Sequence, residues 1–209
     1  YLLIQGYFLK TVVSGHLGAL VDEYWYAAAA EGASSVLSLS VAVLFSFQIF
    51  ADFAGYSNIA RGCGYLLGFR LPVYFNSPYI ATSFREFWTR WHISLSEWLR
   101  DYLYISLGGN RKGRRRTLIN LLLVMAIGGL WHGAAGTFVI WGLVHGVGLV
   151  IERVLRLDGR SRERPWWLAL LWFGVVQVTV GLAWVLFRAV DLDQALAILA
   201  NIGSFRFAW

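Results

Sequence analysis

The sequence predicts an all-α, polytopic integral membrane protein, and three observations carry that prediction. Hydrophobic residues make up 58% of the 209 positions and charged residues only 14%, whereas a soluble domain is nearer half apolar and a quarter charged. The mean hydropathy is +0.57, and the apolar runs are unbroken, unlike the alternating pattern of lipid-facing strands. Aromatic residues reach 17%, with 11 tryptophans, which suits a protein with two membrane interfaces to populate.

The elements follow in chain order. Residues 1–21 are apolar but interrupted by Gly6, Lys10 and His16, which allows one short or tilted span. The sequence opens inside this run without an initiator methionine or signal peptide, so spans upstream in a longer protein are expected, with residues 1–209 forming a single membrane-embedded region. Residues 34–60 are long enough to cross a hydrocarbon core of about 30 Å, which takes roughly 20 residues. Asp52 sits near the end of this span, and the following GYSN (55–58) is where the helix is expected to loosen. Residues 68–83 carry Pro72 and Pro78 and read as a loop or re-entrant segment.

Residues 84–105 form a different pattern. Phe84, Trp88, Trp91, Leu95, Trp98, Tyr102 and Ile105 recur at steps of three and four, giving one aromatic stripe. Most charges lie off it, so a helix lying at the membrane interface is expected. His92 falls at the edge of the stripe and faces protein or membrane rather than open water.

From Thr117 to Val154 the chain is almost wholly apolar, with GGLWHGAAG (128–136) near the middle. As one straight helix this stretch would run about 57 Å, nearly twice the core thickness. Both flanks are basic, and two cytoplasmic flanks require an even number of crossings. A hairpin of two short spans satisfies both constraints, with His132 near the turn and displaced from the basic face. Irregular backbone at membrane depth requires a covering of protein or a water-filled cavity, so His132 is expected in a protein-lined pocket. Residues 166–187 form a further span, introduced by Pro165, and the tail from Arg188 onward reads as an interfacial helix.

The net charge of +6 is concentrated in GGNRKGRRR (108–116) and RLDGRSRERP (156–165). Beside membrane spans such runs reflect the positive-inside bias rather than nucleic-acid binding. The single cysteine, Cys63, excludes an internal disulfide and a cysteine-based zinc site. Two histidines with Asp52 or Asp101 could in principle hold a metal, but no compact ligand motif is present and none is assigned. No glycine-rich phosphate loop and no nucleophile elbow appears.

His132 has two readings: a core histidine satisfied by a neighbouring helix, or a functional group, since ionisable residues at membrane depth are costly and mark function. Its flanking glycines permit close approach of a substrate or of another backbone. His92 reads either as an ordinary edge histidine or as part of a site. His145 reads as packing or a supporting partner, and His16 as a loop or interface residue without a role. A transporter or channel with proton-relaying histidines fits the same pattern, but no internal repeat is visible.

FREFWTRWHISLSEWLRDYLYISLGGNRKG (84–113) and GGLWHGAAGTFVIWGLVHG (128–146), with the upstream DFAGYSNIARGCGYLLGFRLPVYFNSPY (52–79), closely resemble the membrane-bound O-acyltransferase superfamily. The resemblance covers about residues 45–150. It is strongest to the bacterial branch that holds the alginate O-acetyltransferase membrane subunit and the teichoic-acid D-alanylation membrane protein, and it leans to the polysaccharide side. It implies a multi-helix bundle with re-entrant and interfacial pieces around a central tunnel, in the bacterial inner membrane. By the same resemblance, His132, in the WHG block, is the catalytic histidine, and His92 the second polar position upstream. The implied reaction moves an acyl group, most simply acetyl, from acetyl-CoA or an acyl thioester carrier to a hydroxyl of an extracytoplasmic polysaccharide such as alginate. D-alanyl transfer to teichoic acid is the alternative. Periplasmic or membrane-associated acetyl-transfer proteins are the implied partners. Arg111, Lys112, Arg114, Arg115 and Arg116 would attract an anionic donor, though they also serve as topology determinants.

Overall fold

A computed structural model describes residues 1–157 and 165–207; its regular structure is all helical, with no strand among the described residues. Most of the second basic run, 158–164, lies outside the described residues. The chain forms two compact units, Tyr1–Pro72 with Arg188–Trp209, and Val73–Phe187.

In the first unit, α1 (Leu2–Tyr7) passes through a π-helical turn (Phe8–Ser14) into α2 (Gly15–Ala29). The interruptions seen in the sequence are thus absorbed in one continuous helical run. Gly6 lies against α3 (Ser35–Leu66) so closely that a Cβ there would sit 2.8 Å from the Gly55 carbonyl oxygen. Gly55 is therefore a backbone contact inside a helix, and α3 runs on to Leu66 instead of loosening at GYSN. Asp52 falls mid-helix, where Lys10 reaches it at 2.7 Å; this pairing, 42 residues apart, makes both charges tolerable in an apolar segment. His16 sits on an exposed helical face rather than in a loop, with a ring nitrogen 2.6 Å from the Val12 carbonyl. The tail forms α9 (Leu192–Gly203), capped by Asp191, with Ala195, Ile198 and Asn201 buried. Asn201 donates to the Ala28 and Ala30 carbonyls at 3.1 and 2.9 Å, tying α9 to the end of α2.

The second unit starts with irregular chain and a 3₁₀ turn at Pro78–Ile80, as the prolines predict. The amphipathic run is not one helix. It breaks into α4 (Phe84–Arg90) and α5 (Ile93–Trp98), followed by a π-helical turn at Leu99–Tyr104. The aromatic stripe holds as far as Leu95, which is buried with Phe84 and Trp91. Beyond it Trp98, Tyr102 and Ile105 are exposed, because the break at His92 and the π turn rotate the later residues off that face.

The long apolar stretch folds as the length argument requires. The two 20-residue helices α6 (Gly113–His132) and α7 (Gly136–Leu155) form a hairpin, each about 30 Å long. Gly129 and Gly142 let them meet backbone to backbone: a Cβ at Gly142 would sit 2.1 Å from the Met125 carbonyl oxygen, and one at Gly129 equally close to that of Phe138. Small residues at a helix crossing replace the hydrophobic driving force that lipid does not provide. The last helix is α8 (Trp166–Arg188). Helices α3, α7 and α8 are long and apolar enough to cross a membrane; α6 matches α7 in length but opens on Arg114–Arg116.

Candidate active site

The hairpin puts His132 at the last position of α6, beside the short turn into α7. The basic first turn of the same helix lies about 28 Å away along the axis. His132 is half-buried and sits in a box of aromatic rings, with centroids of Trp131, Phe187 and Trp141 at 5.0, 5.1 and 5.3 Å and Phe138 at 6.4 Å. The nearby glycines build that box rather than leave it open. Gly129 serves the α6–α7 contact, and the space a Cβ at Gly133 would need is taken by the Phe138 ring, 2.5 Å away. Close backbone and ring packing is thus realised at Gly129 and Gly133, while a Cβ at Gly136 would meet nothing within 4 Å.

His92 is 8% exposed and occupies the break between α4 and α5 in a left-handed conformation, φ 41° and ψ 56°. A residue other than glycine costs about 1–3 kcal/mol there and persists only where its surroundings over-determine it. Those surroundings are the 74–76 segment. Ile93 N–H donates to the Tyr74 carbonyl and Asn76 N–H to the Arg90 carbonyl, both at 2.9 Å, so the chain is held on both sides of the break. Tyr74 also stacks on the imidazole, with centroids 6.0 Å apart. Backbone strain held this firmly clusters at functional sites, which makes His92 a candidate site residue.

The two histidines are brought together. Trp131 stands between them, 6.1 Å from His92 and 5.0 Å from His132. His92 lies outside the candidate spans; burial, joined by the charge of His132, lowers its pKa from 6.5 to about 4. It is therefore neutral near pH 7, with one ring nitrogen a donor and the other an acceptor.

His145 is fully buried on α7, stacked on Phe87 at 5.7 Å and packed edge-on against Trp88 and Trp141. It supports the ring cluster behind His132, as the packing reading expects.

One residue escaped the sequence reading. Glu152, 1% exposed near the end of α7, accepts from the backbone N–H groups of Phe84 and Arg85 at 2.6 and 3.0 Å and from Trp172 Nε1 at 2.8 Å. A signal was present: an acidic residue in the last turn of an apolar helix opposes the helix dipole and calls for dedicated partners. Glu152 also borders a cavity of about 440 Å³ between α4, α5, the π-helical turn after it, α6 and α7, whose wall includes Arg85, Trp88, Glu97, Arg100 and Arg153.

The site is thus a helical hairpin with a boxed histidine at its turn and a second buried histidine one ring away. Residues 24–187 match the model of the membrane-bound O-acyltransferase family, and the chain belongs to that family. It is similar to the "Probable alginate O-acetylase AlgI" of Azotobacter vinelandii, 46% identical over 97% of this chain and 39% of that protein. It is also similar to the "Peptidoglycan O-acetyltransferase" of Helicobacter pylori, 40% identical over 94% of this chain and 37% of that protein. The "Teichoic acid D-alanyltransferase" of Streptococcus thermophilus is 34% identical over 72% of this chain and 38% of that protein. The chain thus spans about two fifths of the length of these curated relatives.

Proposed function

We propose that this chain carries the reacting centre of a multi-pass O-acetyltransferase of the bacterial inner membrane, acting on hydroxyls of an extracytoplasmic polysaccharide of the alginate type. The observation that carries the reading is the pairing of His132 and His92 across Trp131 at the far end of the hairpin from its basic flank. The relatives named for acetyl transfer, matched over nearly the whole chain, support acetyl over D-alanyl as the group moved.

In the proposed reaction a polysaccharide hydroxyl attacks the carbonyl carbon of a thioester. A hydroxyl is a weak nucleophile unless a base takes its proton as the new C–O bond forms, and His132 is that base. His92 donates a hydrogen bond to the developing oxyanion, worth about 3 kcal/mol where such a donor is pre-aimed. As the carbonyl re-forms, the C–S bond breaks and the thiolate leaves with the proton held by His132. The donor is acetyl-CoA or an acyl thioester carrier. Its anionic part is drawn by Arg111, Lys112 and Arg114–Arg116, and the cavity edged by Arg85, Arg100 and Arg153 is its candidate seat. Periplasmic or membrane-associated acetyl-transfer proteins are the partners this reading requires.

The test is labelled-acetyl transfer to polysaccharide by membranes holding the full-length protein. His132→Ala that inserts normally yet transfers nothing above background, with His92→Ala lowered about 100-fold, supports the reading. Wild-type transfer by His132→Ala, or solute flux in proteoliposomes without any transfer, overturns it.

A further inference from the structure

The buried carboxylate of Glu152 needs an explanation that the reaction does not supply. It lies at the opposite end of α7 from His132, so it touches no reacting atom. Its hydrogen-bond partners, however, include the first two amides of α4, and α4 ends at Arg90, two residues before His92. Ring contacts trace α4 running antiparallel along α7: Phe84 meets His145 at 6.2 Å, and Trp88 meets both His145 and, a turn nearer His132, Trp141, at 5.2 and 5.8 Å. Gly148, one turn before Glu152, admits the Phe84 ring, since a Cβ there would lie 2.8 Å from it.

The N-terminus of α4 is fully satisfied by this arrangement. Ser83 Oγ accepts from Glu86 N–H at 2.9 Å, and Glu152 takes the two amides before it, placing negative charge where the helix dipole favours it. Trp172 Nε1 fixes one carboxylate oxygen from α8. Three elements therefore meet at one side chain, and a change of register there moves the far end of α4.

We propose that Glu152 is a positioning residue, setting the register of α4 against α7 and so holding His92 beside His132. The inference rests on the reading of His92 and His132 as the reacting pair. Because Glu152 also borders the cavity, the alternative role is donor binding, and the two separate kinetically: a positioning defect lowers kcat, a binding defect raises KM.

The experiment compares Glu152→Gln, Glu152→Asp and Gly148→Ala in the full-length protein by two readouts. Glutamine keeps the shape but turns an NH2 group toward an amide N–H; alanine at 148 pushes on Phe84 while leaving Glu152 in place. In acetyl transfer, kcat is expected to fall by about 10- to 100-fold, as a misplacement near 1 Å produces, with donor KM within about twofold. Glu152→Asp, which keeps the carboxylate, recovers part of the loss. The second readout needs no activity: modification of histidines by diethyl pyrocarbonate, resolved by peptide mass. Buried His92 is expected to label about fivefold faster or more in Glu152→Gln and Gly148→Ala as the break opens, while exposed His16 labels as in wild type. If Glu152→Gln fails to accumulate, Gly148→Ala carries both readouts. Unchanged His92 labelling in these variants overturns the proposal, as does a rise in KM with kcat preserved. If wild-type protein transfers no acyl group, the proposed reaction fails while the labelling still decides whether Glu152 holds His92.

Discussion

Gly142→Ala tests the hairpin on which the site stands. The added Cβ would lie 2.1 Å from the Met125 carbonyl oxygen and 3.3 Å from Gly129 Cα. Both are helix backbone, so no side chain can rotate away. A comfortable carbon–oxygen approach is about 3.3 Å, which requires α6 and α7 to separate by about 1.2 Å. Overpacking on this scale costs about 1–3 kcal/mol. It also shifts His132, on α6, against Trp141, on α7, and a misplacement near 1 Å costs on the order of 100-fold in rate. The assay is acetyl transfer by membranes adjusted to equal amounts of full-length protein, together with thermal inactivation in detergent. Gly136→Ala is the control, since a Cβ there meets nothing within 4 Å; it should transfer as wild type and be no less stable. A Gly142→Ala protein with the transfer rate and heat resistance of Gly136→Ala would refute the close-packed hairpin.

Three further outcomes are expected. Burial and the His132 charge hold His92 well below its ordinary 6.5, at about 4, so folding favours the neutral ring: the stability this contributes is complete above about pH 6.5 and is lost as pH falls toward 4. Inactivation temperatures measured from about pH 7 down to about pH 4 should therefore fall, and fall less steeply in His92→Asn. Asn120, fully buried, donates to the Leu107 and Gly109 carbonyls at 3.3 and 3.0 Å; Asn120→Ala should lose about 1–3 kcal/mol and expose Arg111–Arg116 to trypsin faster than wild type. Trp141→Ala enlarges the box around His132, so propionyl and butyryl donors should gain on acetyl by about 10-fold or more, read as a ratio of kcat/KM values.

The hairpin was legible in the sequence because length and charge left few choices: 117–154 is too long for one crossing and basic at both ends. The place of His132 followed from the same constraint. The break at His92 was not legible, because a left-handed residue there depends on Tyr74 and Asn76, which reach it through tertiary hydrogen bonds and leave no mark in the helical periodicity of 84–105. Asp52 looked like a helix end because its partner Lys10 lies in another helix. Glu152 escaped notice among the neighbouring Arg153 and Arg156, where an acidic residue reads as solvated surface, although its side chain turns inward to α4.

The most direct measurement compares three histidine variants of the full-length protein, His132→Gln, His92→Gln and His145→Phe, for labelled-acetyl transfer at equal membrane content. His132→Gln should fall to background, while His92→Gln, whose amide can still donate a hydrogen bond, should fall by less than the roughly 100-fold of one lost oxyanion donor. His145→Phe, which keeps an aromatic ring in the cluster, should retain most of the activity. Transfer that survives in His132→Gln but disappears in His145→Phe would contradict the assignment of His132 as the base.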